Sequence, residues 1–284
     1  MKTKPSSRLH DTFPPKVIRK ENNDWYEFRT RSAEKVTKIL DQYQPITLQE
    51  MSGFNLLNRT DTKFVFDIHT LNQVLNSLPD SYRVLQIEDH RLHTYQNLYF
   101  DTPQLDMFVQ HHRQQRDRYK VRCRFYVDTQ GTFLEVKKKN NRDRTIKNRM
   151  ETSNFVEELP HGYEKFLHQY YPGERYDLKP VLWNDFQRMT LVSNGSIERL
   201  TLDINLGFSD GWGRMGLPRL VIAEVKQDTF TIHSNFMSKM RKLGVQPRRF
   251  SKYCIGIPQF YPQVKSNRFK PRELLVERII HDGD

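Results

Sequence analysis

Along much of this chain, apolar residues recur at every second position and charged residues fill the places between. In KVRCRFYV, Arg122 and Arg124 alternate with Val121, Cys123 and Phe125. In FLEVKKK, Glu135, Lys137 and Lys139 alternate with Leu134 and Val136. TIKNRM sets Lys147 two residues before Arg149, and VIAEVKQ sets Glu224 two residues before Lys226. A strand sends residues i and i+2 to one face, so each segment predicts a strand with a charged side and an apolar side. One charged face is ordinary solvation. Its recurrence predicts a sheet wrapped around a charged interior, which repels itself until a polyanion or a metal neutralises it.

The same reading gives the remaining elements. Runs rich in Val, Ile, Tyr and Phe predict strands over 59–68, 82–88, 93–100, 181–192 and 199–206. Helical spacing predicts helices over 33–42, 70–78, 155–170 and 235–243, with a last one after Pro271. Another is expected in LDMFVQHHRQ, with Thr102 as its cap and Pro103 at its first position. The glycine-rich GWGRMG reads as a hairpin connection, and the His111-His112 pair as solvent-exposed. About eight strands with small helices between them predict an α+β fold, an antiparallel β-barrel with peripheral helices. Residues 1–44, basic and proline-containing, read as a partly disordered extension, and 45–284 as one domain.

Charge narrows the ligand. Against 34 acidic residues the 284-residue chain carries 46 Lys and Arg, a formal net charge of +12, which calls for an acidic partner. Two distant cysteines, Cys123 and Cys254, offer no disulfide framework and no nucleophile signature. No apolar run nears the roughly 20 residues that cross a bilayer, and MKTKPSSRLHDTFPPK has no apolar signal core, so a cytoplasmic protein is expected. No Walker-type glycine loop is present. The basic residues Arg122, Arg124, Lys137, Lys139, Lys147, Arg149, Arg188 and Lys226 could together bind several phosphates. Glu135 and Glu224 each precede a lysine by two positions and are open to two roles, holding Mg²⁺ or Mn²⁺ or forming an ion pair.

The ordered set PITLQEMSGFNLLNRTDTKFVF, NLYFDTP, KVRCRFYV, FLEVKKK, KNR, RLTLD, VIAEVKQ and RRFSKY resembles the VTC domain, the polyphosphate polymerase domain of the triphosphate tunnel metalloenzymes, related to CYTH domains. The resemblance runs from about Pro45 to Ile257. It implies a β-barrel tunnel and transfer of the γ-phosphate of ATP to the end of a polyphosphate chain. It further implies catalytic phosphate contacts from Arg122, Arg124, Lys137 and Arg188, and phosphate binding by Lys63, Lys147, Ser251 and Lys252. Glu224 would hold Mn²⁺ or Mg²⁺. Arg249 stands in a lysine position and Phe186 in a tyrosine position. Arg59-x-Asp61-x-Lys63 replaces the E-x-E-x-K of CYTH domains, which argues against tunnel-type hydrolysis. ATP and polyphosphate are the expected partners, nucleic acid is disfavoured, and a membrane-protein partner is compatible with the reading. A hydrolase of tripolyphosphate or nucleoside triphosphates, and a non-catalytic module for polyphosphate, inositol phosphates or RNA, are the alternatives.

Overall fold

A computed structural model describes residues 22–52, 60–140, 145–159, 162–173 and 175–281. In chain order the elements are α1 (Asn22–Leu40), β1 (Gln44–Ile46), α2 (Leu48–Ser52), β2 (Thr60–Asp67), α3 (Ile68–Leu75), β3 (Tyr82–Leu85), β4 (His93–Asp101) and α4 (Asp106–Arg113). There follow β5 (Arg118–Tyr126), β6 (Gly131–Lys139), β7 (Thr145–Glu151), α5 (Glu164–Tyr170), β8 (Lys179–Ser193) and β9 (Glu198–Ser209). The chain ends with β10 (Arg214–Leu217), β11 (Leu220–Gln227), α6 (Asn235–Lys242), α7 (Lys252–Phe260) and α8 (Lys270–His281).

One eleven-stranded sheet runs in the order β2-β11-β9-β8-β4-β5-β6-β7, with β1, β3 and β10 paired off this path. All its pairings are antiparallel except β1 with β3. The expected α+β fold, dominated by antiparallel strands, is what forms. The sheet curls without closing: among the described residues β2 and β7 do not pair with each other. Part of the outer edge of β2 is already taken, since Arg248 N–H donates to Lys63 O at 2.7 Å. The curl shows at the start of α7, where Ser251 meets a side chain from β5 and Lys252 meets one from β9, strands three steps apart in the sheet.

Alternation decides where the apolar groups go. On the convex side of β2, β11 and β9, Phe64, Leu202, Ala223 and Val225 pack under α1, α3 and α6. Cys123 faces the apolar side as expected, with Leu98, Leu134 and Val136 beneath α5. A third cluster joins Val65, Ile222 and Phe208 to α4, α7 and α8 and fills one end of the concave side.

Several expected elements are corrected. The helix expected over 33–42 is 19 residues long and begins at Asn22. Its Trp25 ring lies where a Cβ on Gly216 would come within 2.3 Å, so only glycine fits there. Residues 1–21 of the expected extension lie outside the described residues. The helix expected over 155–170 is confined to α5, after Pro160 and the positive φ of Gly162. α4 starts at Asp106, and its main cap is the Asp101 carboxylate, which accepts from Met107 N at 2.9 Å and Phe108 N at 3.0 Å. The GWGRMG stretch both turns the chain and supplies β10. His111 is half-buried with Nε2 3.1 Å from Tyr119 O, and burial pushes its pKa down to about 2. His112 meets Asn267 Oδ1 at 2.8 Å.

Candidate functional site: a cation-lined concave face

Register brings the charged positions onto one surface. Arg122 lies opposite Glu135, which lies opposite Arg149; Lys120, Lys137 and Lys147 form the next row. On the other flank Lys63 lies opposite Glu224, and Arg188 opposite Asp203. Directly opposed residues in an antiparallel pair share a face.

Three interior carboxylates organise the cations. Glu135, fully buried, takes Arg122 Nε at 2.7 Å and Nη2 at 2.5 Å on one oxygen and Lys147 Nζ on the other. Asp203, 3% exposed, is gripped by Arg188 at 2.5 Å and 2.8 Å and by Lys252. Glu224, 20% exposed, bonds Lys63 Nζ at 2.8 Å through one oxygen and Lys226 Nζ at 2.5 Å through the other. Burial alone would raise all three pKa values, but their cations outweigh it and hold them below the ordinary carboxylate range. Glu135 is governed by Arg122, Arg124, Lys137 and Lys147, and Asp203 by Arg188 and Lys252.

Aromatic rings seat the remaining cations. Tyr126, Tyr95 and Phe186, on β5, β4 and β8, form a row with ring centroids 5.0 and 5.2 Å apart. Arg124 lies over Tyr95 and Tyr126 at 5.4 and 5.8 Å, and its Nε donates to Asn97 Oδ1 at 2.9 Å. Arg188 lies 5.1 Å from Tyr95, and Lys252 Nζ 4.1 Å from Phe186. Rings hold a cation without cancelling its charge. Burial lowers the pKa of Lys252 to about 8, against the pull of Asp203.

The structure thus gathers Arg122, Arg124, Lys137, Arg188, Lys63, Lys147, Lys226, Lys252 and Glu224 on the concave face, with Ser251 at its margin. Ser251 caps α7, accepting from Cys254 N at 3.2 Å, and also accepts from Lys120 Nζ at 2.8 Å. Lys139 stands at the end of β6, opposite Arg118. Arg149 is exposed and stacks over Phe133 at 4.8 Å, and Arg249 is exposed before α7. Sequence reasoning assigned no role to Lys120 or Asp203. Lys120 continues the alternation of Arg122 and Arg124. Asp203 is revealed by its partner Arg188 only once the register is known.

Among the described residues no three His, Cys, Asp or Glu side chains cluster as a cage. A Mg²⁺ or Mn²⁺ held by one carboxylate and completed by phosphate oxygens and water does fit this chemistry. Glu224 is the most accessible of the three carboxylates.

These features define a cation-lined concave sheet of tunnel type. The VTC domain model matches residues 58–261, and the chain belongs to the VTC domain family. No curated protein matches the sequence. Among solved structures, an adenylate cyclase candidate from Bacillus halodurans is similar at 13% identity and a TM-score of 0.46, over 72% of this chain and 100% of its own. A Hippeastrum adenylyl cyclase candidate, described as having a dominant triphosphatase activity, is similar at 13% identity and a TM-score of 0.41, over 69% of this chain and 93% of its own. The S. pombe Pct1 RNA triphosphatase is similar at 10% identity and a TM-score of 0.25, over 98% of both chains. No described helix is long and apolar enough to cross a membrane.

Proposed function

We propose that this protein is a metal-assisted phosphotransferase that moves the γ-phosphate of ATP onto the end of a polyphosphate chain. One observation carries the reading. Glu135, Asp203 and Glu224 are each held ionised between two cations, so none of these three is poised to take a proton from water. A terminal phosphate oxygen is already ionised at neutral pH and needs no general base. Membership of the VTC family supports the same choice.

Catalysis then rests on placement and charge. Arg122, Arg124, Lys137 and Arg188 surround the phosphoryl group that moves and bind its non-bridging oxygens. Lys63, Lys147, Lys226 and Lys252 hold the flanking phosphates, with Ser251 as a hydroxyl donor. Lys139, Arg149 and Arg249, nearer the solvent, attract the chain at the margins. Glu224 would hold a divalent metal, which would supply neutralisation of charge on the phosphates. The low-dielectric interior makes each of these contacts stronger than it is in water.

The test is incubation with γ-labelled ATP, Mn²⁺ or Mg²⁺ and a short polyphosphate primer, with the products resolved on a gel. The reading expects a ladder that a polyphosphate-specific phosphatase destroys. Free phosphate alone would replace it with tunnel hydrolysis. Tight polyphosphate binding with no turnover would make the protein a binding module.

A further inference from the structure

β9 changes faces partway along its length. Its register with β8 slips between Asp185 and Gln187: Asp185 lies opposite Gly207 and Gln187 opposite Ile204, so Asn205 and Leu206 together stand against Phe186. Asn205 takes a φ of 55°, a left-handed conformation that asparagine tolerates better than most residues. This is a β-bulge, and a bulge reverses the alternation beyond it. Leu202 and Ile204 pack on the convex side, while Leu206 and Phe208 pack on the concave side. Unbroken alternation would send Leu206 and Phe208 to the convex side with Leu202. Instead Phe208 forms the seat of α7, so close that a Cβ on Gly256 would come within 2.8 Å of its ring. α7 carries Lys252, whose amine pairs with Asp203, two residues before the bulge, and lies 4.1 Å from the Phe186 ring opposite it.

The convex side of the bulge is gripped by α1. Asn205 is buried, and its amide makes three bonds there: Oδ1 accepts from Ser32 Oγ at 2.7 Å, and Nδ2 donates to Arg29 O at 3.1 Å and to Gln187 Oε1 at 2.7 Å. Beside it the Arg29 guanidinium pairs with Asp185, which also takes Arg214 Nη2 at 3.0 Å. We propose that Asn205 is a positioning residue for the transfer reaction: its bulge, locked by α1, holds Phe186, Asp203 and α7 in the arrangement that fixes Lys252 and Arg188. This role rests on the phosphotransferase reading for the reaction it serves. It makes α1, which carries none of the site residues, part of the frame of the site.

The experiment compares wild type with Asn205→Ala, Asn205→Gly and Ser32→Ala by two readouts, tripolyphosphate affinity from calorimetry and backbone hydrogen exchange of α7 in the unliganded protein. Asn205→Ala removes both the three bonds and the tolerance of positive φ, so affinity should fall about tenfold and exchange in α7 should quicken. Asn205→Gly keeps the conformation and should recover part of both. Ser32→Ala leaves β9 untouched and should move both readouts the same way by less; it and Asn205→Gly decide the matter if Asn205→Ala does not fold. In a double-mutant cycle Asn205→Ala should add little to the loss caused by Lys252→Met, because the two act through one cluster. Fully additive losses would overturn the assignment. So would an Asn205→Ala protein that melts lower yet keeps wild-type affinity and α7 protection, since the bulge would then serve stability alone. If wild type binds no tripolyphosphate, the phosphotransferase reading falls by itself, and exchange in α7 still decides whether Asn205 holds that helix.

Discussion

Glu224 and Asp203 carry the same charge on the same face, yet burial separates their parts. Asp203 is sealed between Arg188 and Lys252, whereas Glu224 keeps a fifth of its side chain open. Glu224→Gln is therefore expected to lower metal-dependent turnover by at least about a hundredfold, while tripolyphosphate binding in EDTA persists. Turnover and metal titrations on the folded variant check this. Lys252 gives the pH dependence. Its folded pKa of about 8 lies below the ordinary 10.5 because burial outweighs Asp203. Between those values the unfolded chain binds more protons than the folded one, so this group's contribution to stability rises with pH across that window. Phosphate acts the other way by favouring the ammonium form. Tripolyphosphate affinity should fall as pH climbs through about 8, and Lys252→Arg should flatten that fall, as calorimetry across this range would register. The alternation exposed Arg122, Arg124, Lys137 and Lys226 in the sequence, because face is a local property of a strand. Asp203 stayed hidden because its meaning lies in its partner on β8, and spacing along one strand says nothing of register.

At the scale of elements, α7 ties the site to the outer shell. Tyr253 Oη donates to the buried Asp101 carboxylate, which also caps α4 through two backbone N–H groups. Ser251 and Lys252 precede Tyr253 directly, so this bond helps fix where they stand. Tyr253→Phe should cost about 2 kcal/mol of stability, the usual loss for a hydrogen bond to a charged group. It should also weaken phosphate binding; chemical denaturation and calorimetry measure the two. Unchanged phosphate affinity would mean that α7 is placed by packing alone. α7 was not legible in advance, since Pro258 and Gly256 in KYCIGIPQF argue against a helix, and packing in the concave cluster overrides them. β10 was missed for a related reason: four residues inside a glycine-rich loop become a strand only because β9 offers its edge. The long strands β5, β6 and β11 needed no such help, since their alternation is strict.

For the whole molecule, part of the excess of positive charge lies where the sheet curls. That charge makes the unliganded protein self-repelling and gives a polyanion two gains, charge neutralisation and added stability by mass action. Saturating tripolyphosphate should raise the melting temperature, and the rise should shrink as salt screens the exposed charges. A rise independent of salt would place binding elsewhere. Closure of the sheet could not be read from the sequence. Counting strands predicts a barrel, but whether its edges meet depends on what else reaches them, and here residue 248 already occupies an edge bond of β2.

The most direct test of the account is where the transferred phosphate goes. With enzyme in excess over γ-labelled ATP, metal and a short primer present, one turnover partitions the label between lengthened chain and free phosphate. The account predicts that most of the label enters the chain, and that Arg124→Ala, folded but stripped of its interior guanidinium, transfers almost none. Label released chiefly as free phosphate, with the primer unchanged in length, would contradict it.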